Sequence, residues 1–398
     1  MFTRKVIDGA LPGCLPRLHS KLVEAIKVAV GGALKGASLT LSQLARAMES
    51  NTAMRHRIKR MDRLLGNPVL QCARVDIYRN VAKQWLSGLD NVLVVIDWSD
   101  ATTDQCWHLL RASVAVEGRS VTLYEEIHPQ SKYGNPAVHR KFLDTLATIL
   151  PAGCTPTVLT DAGFRSTWFV LVTKHGWQWI GRIRGKDMVS IADGPWQRST
   201  VVFKQATMQV QDFENALYVR SHPTACRLVL TQRQAKGRNR RTRMGKHSRS
   251  RASLKAARSA REPWLLACSK GTAPLPPETI ISQYSKRMRI ELSFRDLKNE
   301  HLGMGFTTSR TRSGKRLEIL LLIGHLASWL MRLIGEAAKQ SKMQPYFQSV
   351  PNLKHNEISV LTLARRVLDA GAQWLAQLRP KDEEMVLRRQ AREAYYGA

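Results

Sequence analysis

The sequence predicts an α/β protein with a strand-rich centre between helical ends, and three observations carry that expectation. Residues 92–96 form a continuous apolar, β-branched run, the pattern of a strand buried on both faces. Residues 109–116 and 120–126 flank Glu117-Gly118-Arg119, a hairpin pattern with glycine in the connection. Helical periodicity dominates residues 20–88 and returns after Glu278.

Taken in order, the N-terminal helices are separated by short loops at Gly31-Gly32, residues 35–38 and Gly66-Asn67-Pro68. Thr40 followed by Gln43 is a capping-box pattern that opens a helix over 41–49. In residues 53–65, Arg55, Arg57, Lys59, Arg60 and Arg63 interleave with Met54, Ile58, Met61 and Leu64 at helical spacing. This basic amphipathic helix follows a short helix and a turn, as the reading helix of a helix-turn-helix unit does, with Arg57 and Arg60 as candidate DNA contacts. An ordinary solvated helix face gives the same pattern.

The centre continues with a helix over 139–150, a short strand over 157–160 that stops at Asp161, a helix over 167–174 and a strand over 177–183. Strand, strand, strand, helix, strand, helix, strand is the order of the ribonuclease-H-like fold. Residues 186–277 read as a mainly β insertion, with strand-like pieces at 216–220, 226–231 and 264–267. Within it, residues 232–261 carry twelve Lys and Arg and no acid before Glu262, a tract suited to lie along phosphates. The expected division is a helical DNA-binding region 1–90, core parts 91–185 and 278–340 split by the insertion, and a helical C-terminal region 341–398 for dimer contacts. In the last of these, residues 358–398 read as two charged amphipathic helices.

Composition limits the partners. Lys and Arg number 62 against 31 Asp and Glu, a formal net charge of +31 that points to nucleic acid as partner, with a ribosomal or membrane-surface protein, or charge that only aids solubility, as the plainer alternatives. The six cysteines have no close pairs, so neither a zinc knuckle nor a disulfide framework is indicated, and a reducing cytoplasm fits. Met1 to Val6 does not read as a signal peptide, and the apolar run 319–331 is too short to span a bilayer, so it reads as a buried helix and no membrane partner is expected.

The chemistry lies in the acids. At 100° per residue, Tyr284, Arg287, Glu291 and Lys298 fall within an arc of about 60° on one helix. A carboxylate beside an arginine, a lysine and a tyrosine suits a phosphodiester site, although an intrahelical Arg287–Glu291 salt bridge is the plainer account of the spacing. Asp97 and Asp161 each stand where an apolar strand run ends, and adjacent strands would bring both to one sheet edge. A strand-end Asp is also a common turn former. Three hard oxygen donors are what Mg2+ or Mn2+ takes, and a pair of ions suits in-line phosphoryl transfer.

On these residues the chain resembles the cut-and-paste transposases of the insertion-sequence-four family, closest to the insertion-sequence-ten branch. The family's Tyr, Arg, Glu and Lys spacing is met by Tyr284, Arg287, Glu291 and Lys298. The first acid stands in Val-Leu-Val-Val-Ile-Asp97-Trp98-Ser99-Asp100 and the second in Leu-Thr-Asp161-Ala-Gly-Phe, and the hairpin region is similar as well. Ala-Gly-Phe replaces the Arg-Glu-Ala-Asp common elsewhere in the family. The resemblance implies that Asp97, Asp161 and Glu291 are catalytic and hold two Mg2+ or Mn2+ ions. It also implies a bacterial, nucleoid-associated enzyme acting as a synaptic homodimer on double-stranded DNA, both terminal inverted repeats and target. The steps implied are nicking, hairpin formation, hairpin opening and strand joining. By the same analogy Trp264 is the ring on which a flipped base stacks; a core tryptophan beginning a strand is the alternative.

Arg310 and Arg312, in a basic loop, are further candidates for gripping terminal DNA. Glu125 and Glu126 are possible stand-in acids, with exposure on a hairpin strand as the simpler explanation. Gly303-Met304-Gly305 lacks the third glycine of a nucleotide loop, and the histidines show no zinc-binding spacing. Two competing functions remain: a structure-selective or RNase H-type nuclease, which would not join strands, and an inactive DNA-binding repressor, which would lack an acid.

Overall fold

Apolar periodicity becomes element order closely along the chain. The computed structural model describes residues 2–185, 187–234, 247–251, 253–254, 257, 261–301, 303–349, 358–378 and 383–396. The N-terminal helices are α1 (Phe2–Ala10), α2 (Ser20–Leu34), α3 (Leu41–Arg46), α4 (Met54–Leu65) and α5 (Pro68–Leu86). The Thr40 side chain accepts a bond from Gln43 N at 3.2 Å, which is the expected cap, but α3 ends at Arg46 rather than at 49. Strands β1 (Asn91–Asp100), β2 (Trp107–Val116) and β3 (Arg119–Pro129) follow, then α6 (Pro136–Ile149), β4 (Thr155–Thr160), α7 (Ser166–Lys174) and β5 (Gln178–Ile183). The protein is mixed α/β, as its patterning requires.

The chain divides into two compact units. The first contains residues Met1–Cys154 and Met288–Tyr396. In it β1 pairs antiparallel with β2, and β2 with β3. The hairpin turns at Gly118, whose φ of +65° is the left-handed conformation that glycine adopts without strain. Later helices of this unit are α9 (Met288–Lys298), α10 (Gly314–Gln340), α11 (Val360–Ala370) and α12 (Glu383–Tyr396). α10 is long and apolar enough to cross a membrane by composition alone, but 83% of its most apolar stretch is buried within the fold, as a core helix. Against it pack α2, α5, β3 and α11, while α12 packs on β1 and β2.

The second unit, Thr155–Arg287, is one sheet with helices. β4 and β5 are parallel. Next to β5 comes β10 (Trp264–Cys268), then β9 (Thr224–Thr231), β8 (Gln211–Tyr218), β6 (Met188–Ile191) and β7 (Gln197–Arg198), all antiparallel to their neighbours. Helix α8 (Pro277–Ser285) packs on β9.

These cuts differ from the expected domain borders. Leu265 pairs with Ile183 in register, so β10, which falls within the anticipated insertion, extends the β4–β5 sheet. The apolar faces of the two helical ends pack on α10 and the β1–β3 strands of the same unit. Of the basic tract 232–261, Lys236, Arg238, Arg240, Arg241, Arg243, Lys246, Lys255 and Arg258 lie outside the described residues.

Candidate active site

Asp97 is not at a strand end. β1 runs on to Asp100, and what ends at Asp97 is burial: Val92 to Ile96 are fully buried, while Asp97, Trp98 and Ser99 are partly accessible. The Asp97 carboxylate accepts a bond from Trp98 N at 2.9 Å. Alternation sends Trp98 to the opposite face, where its indole Nε1 donates to His139 Nε2 of α6 at 3.1 Å. Burial and the neighbouring His128 push the His139 imidazole down to about 4, so it is neutral near pH 7 and can accept this bond.

In register, Asp97 stands opposite Arg111 on β2, and Arg111 opposite Glu125 on β3. Cross-strand partners share a face, so these three form one row. Arg111 and Glu125 are 3% and 1% exposed and joined by a 2.7 Å ion pair. Glu126, also buried, accepts from Tyr124 Oη at 2.6 Å and lies 2.8 Å from His128 Nε2. The expectation that both glutamates are exposed is therefore corrected: α9 and α10 cover β3, and each acid is retained inside by a charged or hydroxyl partner.

Glu291 lies in the first turn of α9 and is exposed. The single helix expected around it is in fact two, since α8 ends at Ser285 and α9 begins at Met288. At the break, Lys286 N and Arg287 N bond to carbonyls three residues back, so the α-helical ladder is interrupted. Tyr284 and Arg287 consequently do not share a helix with Glu291 and Lys298. Tyr284 belongs to the second unit, where it is 4% exposed with its ring edge-on to Trp264 at 5.1 Å.

Within the first unit, Glu291 and Lys298 are two turns apart on one side of α9. Lys298 Nζ donates to Ser99 Oγ at 2.6 Å. Ser99 is on the same strand face as Asp97, so this bond fastens the Glu291 side of the helix to the Asp97 side of β1. Burial lowers the Lys298 ammonium to about 8, partly offset by Asp100. Lys298 is thus charged near pH 7 and loses its proton as pH rises through about 8. The ratio of Lys298→Arg to native cleavage rates should therefore rise between about pH 7 and 9, because arginine stays charged; a flat ratio would show that the ammonium charge is not used.

Asp161 directly follows β4, and its Oδ1 accepts from Gly163 N at 2.8 Å. A Cβ on Gly163 would lie 3.0 Å from that oxygen, so glycine permits the tight turn. Trp264 opens β10, half-buried, with the Arg233 guanidinium 4.4 Å over its ring and Arg182 at 5.9 Å.

The peripheral candidates separate. Arg60 is exposed on α4, and Arg57 donates to the carbonyls of Met48, Ser50 and Thr52 in the preceding loop. Arg310 and Arg312 are exposed. Arg310 lines a groove of about 580 Å³ with Thr40, Gln43 and Arg316. Gly303 packs where a Cβ would meet Asp296 O at 2.2 Å, a structural reason for glycine after α9.

Asp97, Asp161 and Glu291 are carboxylates reached by solvent, the hard oxygen donors that Mg2+ or Mn2+ prefers. Among the described residues, no group of three or more His, Cys, Asp or Glu side chains is already assembled as a metal site. A family model described as Transposase DDE domain matches residues 89–330, a span that contains all three acids. No curated protein matches the chain.

Proposed function

The chain belongs to the family of DDE-domain transposases, whose membership implies DNA transposition by metal-dependent catalysis, and from that premise we propose that it excises a mobile element at terminal inverted repeats and joins the 3′ ends to target DNA. The carrying observation is the family-model match across residues 89–330, which takes in Asp97, Asp161, Glu291 and Lys298. The +31 charge supports the same reading. So do the element order of a ribonuclease-H-like core and the motif spacing of the insertion-sequence-four family, insertion-sequence-ten branch.

Asp97, Asp161 and Glu291 would hold two Mg2+ or Mn2+ ions, which when bound polarise the scissile phosphate and activate the attacking oxygen. The chain's own groups supply position and charge. Lys298, held at Ser99, contacts phosphate oxygen, and Arg287 offers a forked donor for another. Nicking by water, hairpin formation by the freed 3′ hydroxyl, hairpin opening and target joining are the same displacement with different nucleophiles, so one site can serve all four. Arg60, Arg310, Arg312 and the basic tract grip the DNA flanks. Two copies of the chain, one per element end, form the synaptic complex.

A sharply bent hairpin strand leaves a base unstacked, and Trp264 offers a half-buried ring already flanked by cations. Trp264→Ala should leave the first nick within about threefold of native and lower hairpin yield by about tenfold or more, the loss of one base–aromatic stack. Equal loss of both steps, followed on a strand-labelled end duplex, would remove this role. Joined product with a target plasmid tests the main reading; cleavage without joining would favour a nuclease.

A further inference from the structure

α9 meets the β1–β3 strands through two stripes. Ile290, Phe294 and Leu297 are buried and supply apolar contact. Beside them runs a polar stripe: Arg289 Nη1 donates to Val116 O at 2.6 Å, Ser293 Oγ accepts from Arg111 Nη1 at 3.2 Å, and Asp296 pairs with Arg119 at 2.8 Å. Of these links, only the Arg111 bond is made by a residue directly opposite Asp97.

Arg111 makes an expensive choice of residue for that position. Its guanidinium is almost wholly buried, bonded through Nε to Glu125 at 2.8 Å and lying 4.9 Å over the Phe294 ring. A buried ion pair gives little or no net stability over a well-packed apolar pair, so stability does not account for it. Geometry does. The planar fork can bond in only a few orientations, and here it reaches from the strand position beside Asp97 to the helix residue two beyond Glu291.

We infer that Arg111, oriented by Glu125, is a positioning residue that sets the separation of Asp97 and Glu291 by tying β2 to α9 through Ser293. It touches no reacting atom. The inference rests on the carboxylate reading above, with Asp97 and Glu291 as ligands of a divalent ion.

The test is Mn2+ affinity, read by electron paramagnetic resonance of the full-length protein, together with the Mn2+ dependence of cleavage. Arg111→Met/Glu125→Gln removes both buried charges together and keeps an oxygen for Tyr78 Oη, which lies 3.3 Å from Glu125. Its Mn2+ affinity should fall by about 10–100-fold, the usual cost of losing a residue that orients metal ligands, while end-DNA binding is kept. Ser293→Ala, a partly accessible helix residue whose loss leaves the ion pair in place, should raise the Mn2+ needed for half-maximal cleavage, and Ser293→Thr should restore it. Unchanged Mn2+ dependence in Ser293→Ala overturns the proposal even if the double variant does not fold. Asp97→Asn run in parallel separates the two readings. If Asp97→Asn loses Mn2+ affinity and the Arg111 and Ser293 variants keep it, the positioning role alone is wrong; if Asp97→Asn keeps it too, the carboxylate reading falls and this one with it.

Discussion

Asp97→Asn, Asp161→Asn and Glu291→Gln should each reduce DNA cleavage by at least about 10³-fold while leaving end binding near native. A bound cation supplies several kcal/mol of charge stabilisation at the reacting phosphate, and about 4 kcal/mol corresponds to 10³-fold in rate. The substitutions are isosteric. Asp97 and Asp161 are only partly buried and Glu291 is exposed. An amide oxygen at 97 can still accept from Trp98 N, and one at 161 from Gly163 N, so both local turns survive. Cleavage of an end-containing duplex in Mg2+, set beside a gel-shift titration in Ca2+, gives both quantities. Near-native cleavage by any one variant would exclude that residue as a ligand.

Strand and helix content was legible because burial writes itself into the sequence as period. The run at 92–96, the glycine hairpin and the cap at Thr40 each follow from a local rule and each is present. The break at Lys286 and Arg287 was hidden for the same reason: apolar spacing continues through Ile281, Met288 and Phe294, and nothing local marks the interrupted ladder. The fate of polar groups was hidden as well. Nothing in the helical spacing of Arg57 reveals that it donates to carbonyls of the preceding loop. Glu125 looked exposed because strand alternation does not reveal that α10 covers β3. A buried charge is decided by its partner, and Arg111, its partner here, is fourteen residues away.

The largest stability effect should come from Arg332→Met in the core helix α10. Arg332 and Glu336 are 4% and 1% exposed and lie 3.1 Å apart one helical turn from each other. Gln390 of α12 closes the cluster: its Oε1 accepts from Arg332 Nη2 at 3.0 Å, and its Nε2 donates to Glu336 at 3.3 Å. Arg332 also reaches the Glu117 carbonyl at 3.5 Å, beside the β2–β3 turn. Removing the cation leaves Glu336 charged and buried with only an amide for company, a loss of about 3–5 kcal/mol when one member of a buried pair is taken away. Methionine fills most of the space, so the cost is electrostatic rather than a cavity. Arg332→Met/Glu336→Met, which removes both charges, should then recover most of the loss, because apolar groups of similar volume can replace a buried pair at little cost. Trp329, 2% exposed and one turn away on α10, reports the transition by fluorescence in urea. A single variant within about 0.5 kcal/mol of native would mean that water or protonation already relieves Glu336, and that α12 is held by its apolar face and by the Arg388 bonds to the Trp85 and Gln84 carbonyls.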